Sequence, residues 1–108
     1  MPRYVILQHD WPTLHWDLLL EAGEELRAWR LLAEPANGTE VSSEPNFPHR
    51  WMYLDYEGPV SGGRGEVRQW DAGTFEWIEE QEERVVVELS GRRLSGRCVL
   101  ANGLWRME

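Results

Sequence analysis

A chain of 108 residues has room for one domain around a single core, residues 1–108, and excludes a two-domain arrangement. A hydrophobic share of 42% with seven Trp excludes disorder as the main state. The net charge of −8 argues against tight, non-specific nucleic-acid binding, which depends on many cations neutralising phosphates. Every one of the 11 basic residues is Arg, and the charges are segregated. Glu76 to Glu83 carries five Glu and no basic residue, whereas Arg84 to Arg106 holds five Arg against Glu88 alone, a local surplus that reads first as a solvated face and second as a surface for phosphate. No apolar run reaches the roughly 18 to 20 residues that cross a bilayer. Met1-Pro2-Arg3-Tyr4 runs straight into a strand-like segment, so neither a signal peptide nor a membrane partner is expected. The single Cys98 cannot form an internal disulfide, and a cytoplasmic location is the expectation.

Along the chain, Arg3 to Gln8 is β-branched and aromatic and reads as a strand, and the turn-prone His9 to Thr13 follows as a loop. His15 to Glu21 and Glu25 to Ala33 flank Ala22-Gly23-Glu24 and read as a hairpin. Helix competes over Leu18 to Leu32, but Gly23 in its middle and Trp29 within the alternating Leu26, Ala28, Arg30 favour strands. Glu34 to Pro48, with three Pro, Asn37-Gly38 and Ser42-Ser43, reads as the long loop. Arg50 to Tyr56 is aromatic-rich, Gly58-Pro59 ends it, and the glycine-rich Ser61 to Gly65 is a turn with no P-loop ending. Glu66 to Trp70, Thr74 to Ile78 and Arg84 to Leu89 have strand character, with Asp71-Ala72-Gly73 joining the first two. Ser90-Gly91 leads into a strand over Arg93 to Leu100, and Asn102-Gly103 is the strongest two-residue hairpin signal, returning through Leu104 to Met107. About eight short strands without a convincing helix predict an all-β fold: a small closed or nearly closed β-barrel, or a sandwich.

The chemistry concentrates in His9-Asp10-Trp11-Pro12-Thr13-Leu14-His15-Trp16-Asp17. On a strand, His15 and Asp17 project from the same face, as two ligands of one metal must, and the loop can fold His9 back beside them. Two imidazoles and a carboxylate suit Mn²⁺, Fe²⁺ or Zn²⁺ without choosing among them. The same residues also fit an iron-oxygenase facial triad, in which His49 replaces His9. Trp16 is out of phase with His15 and Asp17 and belongs to the core, whereas Trp11 in the loop can stack on a base.

The whole phrase from His9-Asp10 through His15 to Asp17 and Leu20-Glu21 resembles the signature of the 3′-phosphoesterase domain of bacterial DNA ligase D, an end-joining repair enzyme, and its stand-alone relatives. His49-Arg50-Trp51-Met52-Tyr53 with Asp55 to Gly58, Val67 to Trp77, and Leu89 to Val99 resemble further blocks of that family, while Pro35 to Pro48 carries little of it. The resemblance implies a small β-barrel with a manganese-dependent activity, Zn or another divalent metal being the alternative. The implied reaction removes a terminal ribonucleoside or a 3′-phosphate from DNA 3′ ends and leaves a 3′-hydroxyl for an end-joining ligase or polymerase partner. It also implies that His9, His15 and Asp17 bind the metal at one mouth of the barrel, and that His49 and Tyr53 contact the scissile phosphate. One departure stands out: the family commonly has an arginine two residues after the aspartate, and here that position is Leu19. Arg50 or Arg68 are the sequence candidates to replace it. Leu19 and the acidic balance also leave open a relative that binds DNA ends or a repair protein without turnover.

Overall fold

The computed structural model describes residues 1–108. Nine strands run antiparallel: β1 (Arg3–His9), β2 (His15–Ala22), β3 (Glu25–Leu31), β4 (Glu40–Arg50), β5 (Gly58–Pro59), β6 (Glu66–Glu80), β7 (Arg84–Gly91), β8 (Ser95–Ala101) and β9 (Leu104–Met107), with a 3₁₀ turn at Trp51–Leu54 and no α-helix. Their order is β1-β2-β3-β4-β9-β8-β7-β6-β5, and β1 pairs again with β6. Eight strands therefore close into a roughly barrel-like ring, with β5 lying outside it against β6. No helix is long and apolar enough to cross a membrane.

Strand periodicity sorts the apolar residues into two cores. Tyr4 and Ile6 of β1, Trp16, Leu18 and Leu20 of β2, and Trp29 and Leu31 of β3 point into the ring, where they meet Phe75, Val87, Cys98, Leu100 and Trp105 from its other side. Burial pushes the Cys98 thiol up to about 12. The alternate residues Val5, Leu7, Leu19, Leu26 and Ala28 form a second cluster with Leu54 and Val67. That cluster lies on the outer face of β1, β2 and β3, where the segment leaving β4 folds back over it with Leu54, Tyr53, Tyr56 and Val60. This explains why β1 and β2 read as continuous apolar runs: both of their faces are covered.

Three polar clamps hold that covering segment. Glu21 accepts the backbone N–H of Arg3 (2.8 Å) and the indole N–H of Trp51 (3.0 Å). These two donors hold its carboxyl below the usual carboxylate range. Arg3 pairs with Asp55 at 2.6 Å, and Glu57 accepts the backbone N–H of Gln69 at 2.7 Å. The acidic residues of the Asp55 to Gly58 block thus fasten the cover to β1 and β6.

Two readings of the sequence are corrected. Glu34 to Pro48 is not one long loop: β4 begins at Glu40, pairing first with β9 and then with β3. Asp71-Ala72-Gly73 is not a turn between two strands but the middle of the continuous β6. There the Asp71 carboxylate, 2% exposed, accepts the Tyr4 hydroxyl (2.6 Å) and the backbone N–H groups of Arg92, Arg93 and Leu94 (2.8, 2.9 and 3.2 Å). Gly73 passes so close to Gly91 that a Cβ would come within 2.7 Å of its Cα. The Asn102-Gly103 turn has both residues at positive φ, 55° and 73°, as a two-residue hairpin of this sequence requires.

Candidate active site

β1 ends and β2 begins with a facing pair, His9 and His15, so the loop between them closes onto itself. Because His9, His15 and Asp17 share the phase of Leu7 and Leu19, they sit on the outer face of the sheet, under the covering segment. They do not ring a mouth of the barrel, as the sequence reading had it. One ligand atom from each of the three lies within 4.8 Å of the others. His15 is 2% exposed and Asp17 5%. Trp16 points the other way into the core.

The two imidazoles are oriented alike. His15 donates its Nδ1–H to the carbonyl of Thr13 (2.9 Å), which leaves the Nε2 lone pair 3.2 Å from Asp17 Oδ2. His9 donates its Nε2–H to the carbonyl of Arg64 (2.8 Å), which leaves Nδ1 3.6 Å from the same oxygen. Each ring has one nitrogen committed to a backbone carbonyl and the other aimed at one carboxylate, the pattern that outer hydrogen bonds impose on metal-binding histidines. Lone pairs facing a carboxylate at these distances repel unless a cation or a proton lies between them. Burial opposes charge on His15, but Asp17 outweighs it, with help from the Thr13 carbonyl, and the His15 pKa is raised. The other oxygen, Asp17 Oδ1, is buried without a hydrogen-bond partner. An orphaned carboxylate oxygen beside two lone-pair nitrogens is a donor set that fits a divalent ion.

A cleft of about 210 Å³ opens above this cluster. Its walls bring in His9, Asp17, His49, Tyr53 and Trp11 with two residues the sequence reading did not single out, Arg30 and Arg64. His49, at the end of β4, donates Nδ1–H to the Phe47 carbonyl (2.9 Å). It meets the Tyr53 ring edge-on at 5.9 Å between centroids. The 3₁₀ turn places Tyr53 on this side of the cover, where it also packs edge-on against Tyr56. The facial triad that replaces His9 by His49 is not what converges: His9 is in the cluster and His49 stands on the cleft wall. Trp11, 43% exposed, reaches the cleft from the loop.

Arg50 and Arg68 are not among the cleft residues. Arg50 is exposed, and Arg68 lies on β6 with its side chain 76% exposed and 3.6 Å from Glu66. The Arg-rich stretch after Arg84 is likewise occupied elsewhere: Arg84 pairs with Glu79, Arg97 with Glu88, and Arg93 stacks on Trp70.

The glycine-rich turn gains a role that its composition did not announce. Arg64 anchors itself there through Nε to the Ser61 carbonyl (2.7 Å), and its own carbonyl orients His9. Asp10 grips the far side by accepting the Glu66 N–H at 2.8 Å. The approach is so tight that a Cβ on Gly65, whose φ is +74°, would collide with the Asp10 carboxylate and with Trp11 Cβ at 2.6 Å.

Compared with known families, the chain matches the model described as DNA Ligase D 3′-phosphoesterase domain over residues 7–102. A search of curated proteins finds no significant match.

Proposed function

The chain belongs to the family of the DNA ligase D 3′-phosphoesterase domain, and from that premise we propose that it is a divalent-metal phosphoesterase acting on DNA 3′ ends. Hydrolysis by water removes a terminal ribonucleoside and leaves a 3′-phosphate, and a second hydrolysis removes that phosphate as inorganic phosphate and leaves a 3′-hydroxyl that an end-joining ligase or polymerase can use. The observation that carries this reading is the convergence of His9 Nδ1, His15 Nε2 and the Asp17 carboxylate at the foot of a cleft lined by His49 and Tyr53.

His9, His15 and Asp17 hold the ion, Mn²⁺ by the family resemblance, with Zn²⁺ the alternative. A bound divalent cation supplies Lewis-acid stabilisation of the negative charge that builds on phosphate oxygens during ester cleavage. The protein groups do the rest. The carbonyls of Thr13 and Arg64 hold the two imidazoles in the tautomers that leave His15 Nε2 and His9 Nδ1 free. His49 has Nδ1 committed to Phe47, so its Nε2, without a protein partner, is the atom that carries a proton to the departing oxygen, the 5′ oxygen of a released ribonucleoside or the 3′ oxygen freed from a terminal phosphate. The Tyr53 hydroxyl donates to a non-bridging oxygen without adding charge. Trp11 at the rim stacks on the terminal base.

The test is turnover of a 3′-phosphate oligonucleotide by the purified chain with Mn²⁺. The expected result is release of inorganic phosphate that His9→Ala and His49→Ala each abolish; no product above the buffer blank refutes the reading. In that event, the apolar residue at Leu19, buried in the outer cluster, favours a module that binds 3′ ends without turnover.

A further inference from the structure

The family's customary arginine position, Leu19, is fully buried between the sheet and its cover and cannot carry a charge there. A different arginine reaches the same ground. In the β2–β3 register Leu19 lies opposite Ala28, and Asp17 lies opposite Arg30. Both Leu19 and Arg30 are same-face neighbours of Asp17, one along the strand at about 6.6 Å and the other across it at about 5 Å. Moving the guanidinium from β2 to β3 therefore keeps it beside the carboxylate, and the cover still closes over Leu19.

Arg30 and Arg64 are the arginines of the cleft wall. Arg64 is occupied by Ser61, through its carbonyl at 2.7 Å and its hydroxyl at 3.3 Å. Arg30 has no such employment: it makes no ion pair within 4.0 Å, and its Nε is buried without a hydrogen-bond partner. A guanidinium with a desolvated, unpaired N–H is costly unless a ligand completes it. Its planar donor fork matches two oxygens of a phosphate.

We propose that Arg30 is the phosphate-binding arginine of this cleft, reaching the terminal 3′-phosphate from β3 in place of the arginine that Leu19 displaces. The inference rests on the proposed function only in taking a DNA 3′-phosphate as the ligand.

The test reads binding, without metal and without turnover. A labelled 12-nucleotide DNA strand ending in a 3′-phosphate, and the same strand ending in a 3′-hydroxyl, are titrated with the chain in EDTA at fixed salt, and anisotropy gives the ratio of the two affinities. Non-specific backbone attraction is nearly common to both strands and largely cancels in that ratio. The wild-type chain is expected to prefer the phosphate end by about tenfold or more, as a charge-assisted bidentate contact allows. Arg30→Gln brings the ratio close to one, Arg30→Lys keeps part of it, and Arg68→Gln leaves it unchanged. Should Arg30→Gln fail to fold, the several-fold loss expected of Arg30→Lys carries the test. An Arg30→Gln chain that melts normally and still discriminates overturns the inference, as does a wild-type chain that never did. A chain that discriminates through Arg30 but hydrolyses nothing removes the hydrolase and leaves this assignment standing. Hydrolysis with kcat and KM unchanged in Arg30→Gln does the reverse.

Discussion

Replacing Asp71 by alanine removes the acceptor for four donors at once. Tyr4 Oη and the Leu94 N–H donate to it in the buried interior, and the Arg92 and Arg93 N–H groups from partly buried positions. The two partly buried donors can recover water, so their loss costs little. The two buried ones cannot, and a buried donor left unsatisfied costs about 1 to 3 kcal/mol, with more at stake where the lost partner was charged. Adding the space left by the carboxymethyl group gives an expected destabilisation of about 3 to 5 kcal/mol, a large fraction of what a domain of this size possesses. At about 4 °C per kcal/mol the midpoint should fall by roughly 12 to 20 °C. Tyr4→Phe, which removes one donor and leaves the carboxylate three others, should cost only about 1 kcal/mol. In the double variant the Tyr4 contribution should largely vanish, because its partner has gone. Urea unfolding followed by Trp fluorescence reads all three variants. An Asp71→Ala chain within 1 kcal/mol of wild type would refute the claim that this carboxylate ties β6 to the turn between β7 and β8.

Three further outcomes follow from the site and its cover. Gly65→Ala forces a left-handed φ on a residue whose Cβ strikes Asp10 and Trp11, so the Arg64 carbonyl should leave His9; Mn²⁺ affinity by calorimetry should fall about 10- to 100-fold while far-UV circular dichroism is kept. Leu19→Arg should not restore a family-like site: it buries a charge within an apolar cluster, and the expected outcome is a loss of about 3 kcal/mol or more in urea unfolding, so a stable variant with raised activity would contradict the placement of Leu19. Glu21 has its pKa lowered by Arg3 and Trp51, so its stabilisation of the cover is full above its ordinary value near 4.5 and is lost as pH falls through the lower folded value. Acid titration of the Trp51 signal, isolated by subtracting Trp51→Phe, should therefore show release of the indole only on the acid side of that ordinary value, and Glu21→Gln should flatten the transition.

Much of the fold is legible because alternation and turn chemistry are local. Arg3 to Gln8, the hairpin around Gly23, and Asn102-Gly103 declare themselves within a few residues. β4 does not, since among its residues only Ser43 is buried and Pro45 and Pro48 interrupt it; what makes it a strand is the register offered by β3 and β9. Asp71 to Gly73 carries turn residues for tertiary reasons. Asp71 is there to accept four hydrogen bonds, and Gly73 to let β7 pass. The site divides the same way. The His15 and Asp17 pair follows from strand phase alone. Arg30 shares the phase of Leu26 and Ala28, a signal the sequence does contain, but its place beside Asp17 needs the β2–β3 register. The outer-face position of the whole cluster needed the cover, whose fastening by Glu21, Asp55 and Glu57 is long-range. Arg50 and Arg68 are candidates on charge alone, and charge does not say which arginine the register sets beside Asp17.

The most direct measurement is anomalous diffraction from a crystal soaked in Mn²⁺. The expected density is one strong peak bonded to Nδ1 of His9, Nε2 of His15 and the carboxylate of Asp17. A map with no peak among those three side chains, or with Mn²⁺ held elsewhere while they keep only their protein partners, would contradict the metal centre on which the proposed chemistry depends.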